Sequence, residues 1–155
     1  MNLVILLMNN IPKQQLRYFT IVSKSSGRVL DLCQDGDNKG KLIIYDPWGG
    51  QNQQFGIVHI TPLEVLLVNR MTGLCLTVAN NSDKNGAVIV EEPPNNRPSQ
   101  RFRLQEISPT SGEYVIFTFS GKALDCCENE TKNNTRIIQW DFHAKDNQKW
   151  QLTSV

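Results

Sequence analysis

The chain has 155 residues, of which 39% are hydrophobic and 20% charged, and its 16 basic and 15 acidic residues leave a formal net charge of +1. That length suits one domain or a set of small repeats, and the near-neutral balance argues against a phosphate-tracking surface or an acidic tail. No apolar run approaches the ~18 residues of a membrane span.

The opening stretch "MNLVILLMNNIPKQQ" lacks the basic n-region and the small-residue cleavage site of a signal peptide. It is read as an N-terminal extension over residues 1–16, an extra strand or arm that covers a sheet edge or a partner chain. From Arg17 onward the pattern is β. "RYFTIV" is followed by "GRVLDLC", a polar turn, "KLIIY" and "DPWGGQNQQF". The sequence then runs "EVLLVN", "GLCLTV", a polar turn, "AVIVEE" and "PPNNRPSQRF". Last come "EYVIFTF", "GKALDCC", a polar turn, "RIIQW" and "DFHAKDNQKW". The apolar pieces are short and rich in β-branched and aliphatic residues, and Asp, Asn and Gly punctuate them. No long segment has helical periodicity.

Two windows resemble calcium loops: "DGDNKGKLIIYD" from Asp35 and "NSDKNGAVIVEE" from Asn81. Calcium loops need oxygen ligands between two helices. Lys39 puts a cation at a ligand place, and the flanks read as strands, so each window is a hairpin: a polar turn, then a buried strand.

The chain repeats itself three times. The leading residues Gly27, Gly73 and Gly121 are 46 and 48 residues apart, and the closing aromatics Phe55, Phe102 and Trp150 are 47 and 48 apart. The third hairpin, "NETKNNTRIIQW", keeps the turn and strand but loses the glycine and the final acid. The four cysteines, Cys33, Cys75, Cys126 and Cys127, have neither zinc-site nor redox spacing. They read as reduced, mostly buried thiols. Asn80, Asn129 and Asn133 begin Asn-x-Ser/Thr sequons, which matter only if the chain is secreted.

Three repeats ending in Gln-x-aromatic ("QNQQF", "PSQRF", "DNQKW") and carrying "LDL/LDC" and "IIY/IIQW" pieces resemble the ricin-B-type β-trefoil lectins from about Tyr18 to Leu152. The resemblance implies an all-β trefoil over residues 17–155, with repeats of about 17–60, 61–108 and 109–155. Each repeat has four strands, and a six-stranded barrel is closed by three hairpins. Phe55, Phe102 and Trp150 are then core, with Ile21, Leu30, Leu32, Ile57, Leu104, Leu124 and Leu152. Gln53, Gln100 and Gln148 are structural amides satisfied at each repeat closure.

In the lectins that the chain resembles, an Asp accepts from two neighbouring hydroxyls, an aromatic stacks on the sugar ring, and an Asn before the repeat's Gln donates to a hydroxyl. These chemistries suit a sugar: charge-assisted acceptance, an apolar face and an orienting amide. Carried over, they fall on Asp31, Tyr45 and Asn52 in repeat one and on Asp125, Trp140 and Asn147 in repeat three. Repeat two has Thr77, Glu91 and Ser99, so its pocket is expected to be dead. Trp48 and His143 are expected to wall the pockets and contact a second sugar, while Asp46 and Asp141 pin the loops. Two features depart from the family pattern: Ile43 and Ile138 stand where many members carry Gln or Asn, and the family's disulfide is missing.

The sequence therefore reads as a glycan-binding protein with two pockets. Galactose or N-acetylgalactosamine is implied by the resemblance alone. The chain is read as no enzyme, because His59 and His143 fall in different repeats and no nucleophile or metal spacing appears. No cofactor, nucleic acid or membrane insertion is expected, and a homodimer stays open. Localisation is read as cytoplasmic or released without a signal peptide, with secretion left open. The alternative from another class is a protein-binding trefoil such as a protease inhibitor or signalling ligand.

Overall fold

The computed structural model describes residues 16–155. All but the last residue of the 1–16 extension lies outside them. Twelve strands follow in order: β1 (Tyr18–Ser23), β2 (Val29–Leu32), β3 (Leu42–Tyr45), β4 (Phe55–His59), β5 (Val65–Asn69), β6 (Cys75–Val78), β7 (Ile89–Glu92), β8 (Arg103–Glu106), β9 (Glu113–Phe117), β10 (Ala123–Cys126), β11 (Thr135–Trp140) and β12 (Trp150–Ser154). Among the described residues the only helical pieces are single 3-10 turns of three residues.

Strands β1, β4, β5, β8, β9 and β12 close a barrel. Pairings β1–β4, β4–β5, β8–β9, β9–β12 and β12–β1 run antiparallel, and the Val65–Phe102 bridge joins β5 to the start of β8. Closure leaves no barrel edge to be protected. The hairpins β2–β3, β6–β7 and β10–β11 pair with one another in a ring: Arg136 with Ile43, Val88 with Ile138, and Lys41 with Val90. The result is the three-repeat trefoil expected from the sequence.

The core is built by alternation along each strand. Phe55, Phe102 and Trp150 meet with Ile21, Leu30, Leu76 and Leu124, all fully buried. Burial of each large ring stabilises the fold by roughly 1.5–3 kcal/mol. The Trp150 indole N–H also donates to the Leu124 carbonyl at 3.3 Å. Ile57, Leu104 and Leu152, expected as core, are only half-buried and pack against its margin. They lie on barrel strands two residues beyond the closing aromatics and leave part of their surface in solvent. A second, smaller cluster of Val58, Leu66, Val68 and Cys75, with Leu16 and Ile60 against it, lies on the opposite face of β4–β5.

The hairpin turns are not identical. In strand register Asp31 faces Ile43, Thr77 faces Val90 and Asp125 faces Ile138. Those pairs are 12, 13 and 13 residues apart, so the first turn is one residue shorter. Ahead of β7 and β11, Gly86 and Asn134 both take left-handed backbone, φ +91 and +69. Asparagine tolerates that region better than most side chains, which explains how the third turn dispenses with glycine.

Candidate functional site

Period-two alternation on β2 puts Leu30 in the core and Asp31 on the outer face of the hairpin. The same holds for Leu124 and Asp125 on β10. Each aspartate is nearly buried, 4% exposed, and is held by the turn that ends its repeat. Asn52 Nδ2 donates to Asp31 Oδ1 at 3.0 Å and to the Leu32 carbonyl at 3.2 Å. Gln53 Nε2 donates to Asp31 Oδ2 and to the Asp46 carbonyl, each at 2.9 Å. In repeat three, Asn147 Nδ2 donates to Asp125 Oδ1 at 3.2 Å and the Cys126 carbonyl at 3.3 Å. Gln148 Nε2 donates to Asp125 Oδ2 at 2.8 Å and the Asp141 carbonyl at 3.0 Å.

Two expectations change here. The Asn was expected to donate outward, but both its N–H groups are held by the protein. Asn52 Oδ1 and Asn147 Oδ1 are instead buried without a partner. The Gln was expected as a structural amide bonding backbone at the repeat closure; it does so and also fixes the carboxylate. Its Oε1 accepts the backbone N–H of Trp48 or His143, each at 3.0 Å. One amide thus ties the aspartate, the end of the stacking strand and the wall residue into one unit.

Tyr45 and Trp140 stand at the strand ends, 36% and 43% exposed, with Ile43 and Ile138 buried beside each aspartate. The first pocket, about 220 Å³, is lined by Asp31, Cys33, Ile43, Tyr45, Trp48 and Asn52, with Asn134 from the third repeat. The third, about 460 Å³, is lined by Asp125, Cys127, Ile138, Trp140, His143 and Asn147, with Gly86 and Val88 from the second repeat. The structure therefore brings together Asp31, Tyr45, Trp48 and Asn52, and separately Asp125, Trp140, His143 and Asn147. The neighbouring repeat's contribution was not foreseen; it follows from the ring of hairpin pairings.

Trp48 and His143 wall the pockets but also reach the carboxylates. His143 Nε2 lies 3.4 Å from Asp125 Oδ2, while its Nδ1 accepts the Lys145 backbone N–H at 3.1 Å. Burial pushes the Asp31 and Asp125 carboxyls above their ordinary values. Hydrogen bonds from Gln53, Trp48 and Asn52 oppose this at Asp31, and Gln148, His143 and Asn147 oppose it at Asp125. Burial also raises the Cys75 and Cys126 thiols to about 12, which leaves them protonated and unreactive. Among the described residues no His/Cys/Asp/Glu cluster could hold a metal.

Asp46 and Asp141 do pin the loops, across repeat boundaries. Asn133 of the third repeat grips Asp46, and Asn85 of the second grips Asp141. Phe142 adds an edge-to-face contact with Phe117 at 5.5 Å.

Repeat two keeps the frame and changes the surface. Gln100 Nε2 donates to the Pro93 carbonyl at 2.9 Å and to Thr77 Oγ1 at 3.1 Å. Its Oε1 accepts the Asn95 N–H at 2.9 Å. Register corrects one assignment: Glu92 pairs with Cys75 as Tyr45 pairs with Val29 and Trp140 with Ala123. Glu92, not Glu91, takes the aromatic's place. Glu91 pairs with Leu76 on the other face and accepts from Thr72 Oγ1 at 2.7 Å. A one-residue difference in turn length moved the assignment to the wrong face. Ser99, at the Asn position, turns to Asn81 Oδ1 at 2.7 Å.

The ricin-type β-trefoil lectin domain-like family model matches residues 10–92, 51–140 and 98–155. Among solved structures, the designed threefold-symmetric protein ThreeFoil is similar at 31% identity and TM-score 0.83, covering 89% of this chain and 99% of its own. An exo-β-1,3-galactanase from Clostridium thermocellum is 28% identical with TM-score 0.83; the match covers 91% of this chain but 30% of that enzyme. The Macrolepiota procera ricin B-like lectin, solved with lactose, shares the fold at 20% identity and TM-score 0.74, over 87% of this chain and 93% of its own. A comparison with curated proteins finds no match. With the threefold frame and its repeated closures in place, the chain belongs to the ricin-type β-trefoil lectin domain-like family.

Proposed function

We propose that the chain is a carbohydrate-binding lectin whose ligand sites are the pockets of repeats one and three, and that both take galactose or N-acetylgalactosamine units. One observation carries the reading. A near-buried aspartate, an Asn–Gln clamp and an exposed aromatic recur in two repeats, and in the other repeat Thr77, Ser99 and Glu92 replace the ligand-facing members while Gln100 and Phe102 stay. The hydrogen bond between Asn52 and Asp31 couples those two positions, but the exposed aromatic bonds neither of them, and a purely structural role for the pair gives no reason for its loss in the same repeat.

The chemistry fits a sugar. Asp125 Oδ1 accepts one amide N–H, from Asn147, and keeps a lone pair for a hydroxyl, while Asp125 Oδ2 is shared by Gln148 and His143. The exposed ring offers an apolar face. The lactose in the Macrolepiota lectin and the galactan substrate named for the Clostridium enzyme support a galactose-type ligand. The role is recognition without catalysis. A shallow site of this kind binds weakly by itself, and two sites on one chain crosslink glycans and gain avidity.

A glycan array on wild type and on the Asp31→Ala/Asp125→Ala double variant tests this. The wild type should bind terminal galactosides and the double variant should not. Glycan binding retained by the double variant would sink the site assignment. A wild type that binds no glycan would favour the protein-binding trefoil.

A further inference from the structure

The two pockets differ in charge as well as size, and one pair of residues contributes to both differences. In repeat one the Trp48 ring lies over Gly50, so closely that a Cβ there would overlap it. Repeat three has His143 and Lys145 at those places, five and three residues before Gln148, as Trp48 and Gly50 stand before Gln53. The smaller imidazole turns onto Asp125 and its Nδ1 holds the Lys145 N–H. Pocket three, about 460 Å³, is roughly twice the volume of pocket one, about 220 Å³, and a lysine stands at its rim.

Arg136 lines the same pocket. It lies two residues before Ile138 and four before Trp140 on β11, so all three share one strand face. The acids around this pocket already have partners: Asp141 has Lys122 and Asn85, Asp146 has Lys149, and Glu130 has Lys132. Neither the Arg136 guanidinium nor the Lys145 ammonium has an ion-pair or hydrogen-bond partner among the described residues. Glu128 is also on the rim. The two cations outweigh it by one positive charge, whereas Asp35 gives the rim of pocket one a single negative charge.

We infer that the pocket of the third repeat selects glycans that carry an anionic group, a sulfate ester or a carboxylate, beside the ring held at Asp125, with Arg136 and Lys145 as its specificity-determining residues. Pocket one, walled by Trp48 and bordered by Asp35, is selective for neutral galactosides. The inference rests on the lectin reading of both pockets. Arg136 supplies a planar donor fork suited to oxyanions and Lys145 a mobile point charge. Both are exposed, so the preference is modest and weakens with salt.

Titration calorimetry on the Asp31→Thr variant, which retains only pocket three, tests it. The probes are methyl β-galactoside, its 3-O-sulfate, its 6-O-sulfate and a sialylated galactoside. At about 20 mM salt at least one anionic probe should bind on the order of five- to tenfold more tightly than the neutral one, shrinking toward parity at about 300 mM. The sulfate and sialyl arms separate the two sources of negative charge. Arg136→Gln/Lys145→Gln should abolish the preference and leave the neutral galactoside within about twofold, since rim charges contribute little to a neutral ligand. Equal or weaker binding of every anionic probe would overturn the inference and leave the lectin reading intact. Failure of neutral and anionic galactosides alike, in wild type too, would overturn both.

Discussion

Asn133 and Asp46 exchange two hydrogen bonds across the boundary between the third and first repeats. Asn133 Nδ2 donates to Asp46 Oδ2 at 2.9 Å, and the Asp46 N–H donates to Asn133 Oδ1 at 2.8 Å. Asn85 and Asp141 repeat the exchange between the second and third repeats, both bonds at 2.9 Å. At the remaining boundary the aspartate's place is Pro93, which has neither an N–H nor a carboxylate to offer.

This predicts an effect that crosses repeats. Asn133→Ala should weaken the first pocket, and Asn85→Ala the third, each severalfold, because the clasped residue follows the stacking aromatic. Each change should cost about 1–2 kcal/mol of stability. Urea melts with calorimetry on single-pocket backgrounds check this. An Asn133→Ala variant that weakens only the pocket of its own repeat would contradict it.

Repeat two is a natural template for silencing a pocket without loss of the fold. Gln100 finds Thr77 Oγ1 where its counterparts find a carboxylate. Asp31→Thr and Asp125→Thr should keep the melting temperature within a few degrees. Each should reduce sugar affinity at its own site by more than about tenfold, the loss expected for charge-assisted bonds. Glycan titration followed by NMR shifts of Trp140 and Tyr45 reads the two sites separately.

Acid should separate binding from folding. Burial raises the Asp31 and Asp125 carboxyls. The folded chain thus holds those protons more tightly than the unfolded chain does. Through these two groups mild acid stabilises the fold, and that contribution is lost as pH rises through their folded values. On the proposed reading, sugar binding needs the ionised acceptors and runs the other way. Asp141 opposes the stability effect: its hydrogen bond from Asn85 and the nearby Lys122 lower its pKa, so its stabilisation is lost as pH falls through that lowered value. Binding should fade at a pH above about 3.9, the ordinary aspartate value, while circular dichroism still reports folded protein. A binding midpoint below that value would count against the carboxylates as acceptors.

Gly50 is required by its neighbour. Its backbone, φ −70 and ψ 153, suits any residue, so only the Trp48 ring stands against a side chain there. Gly50→Ala should displace Trp48, shift tryptophan emission and weaken pocket one. Stability should change by about 1 kcal/mol or less, because the ring is largely exposed. Unchanged emission would show that the ring does not rest on Gly50.

Much of this was legible in the sequence because local periodicity carries it. Gly27, Gly73 and Gly121 mark the repeats, alternation assigns Leu30 inward and Asp31 outward, and the Gln–aromatic closures locate the core. What escaped depends on relations that local pattern does not encode. Glu91 was set at the aromatic's place because the leading glycines are a poor ruler when one turn is a residue shorter; pairing of Glu92 with Cys75 and Glu91 with Leu76 settles the face. Asn134, Gly86 and Val88 enter pockets that belong to other repeats, through strand pairings between residues up to about 93 positions apart. The direction of the Asn52 amide depends on the Leu32 carbonyl, and no residue type announces a carbonyl.

Asn134 lining the first pocket has a consequence for dissection of the chain. Every side chain that repeat one supplies to that pocket precedes Phe55, yet its wall arrives only with the hairpin of the third repeat. A fragment that stops after repeat two would possess Asp31, Tyr45, Trp48 and Asn52 and still lack a complete pocket. The pockets of this protein belong to the seams, so they come into being only when the ring of three is shut.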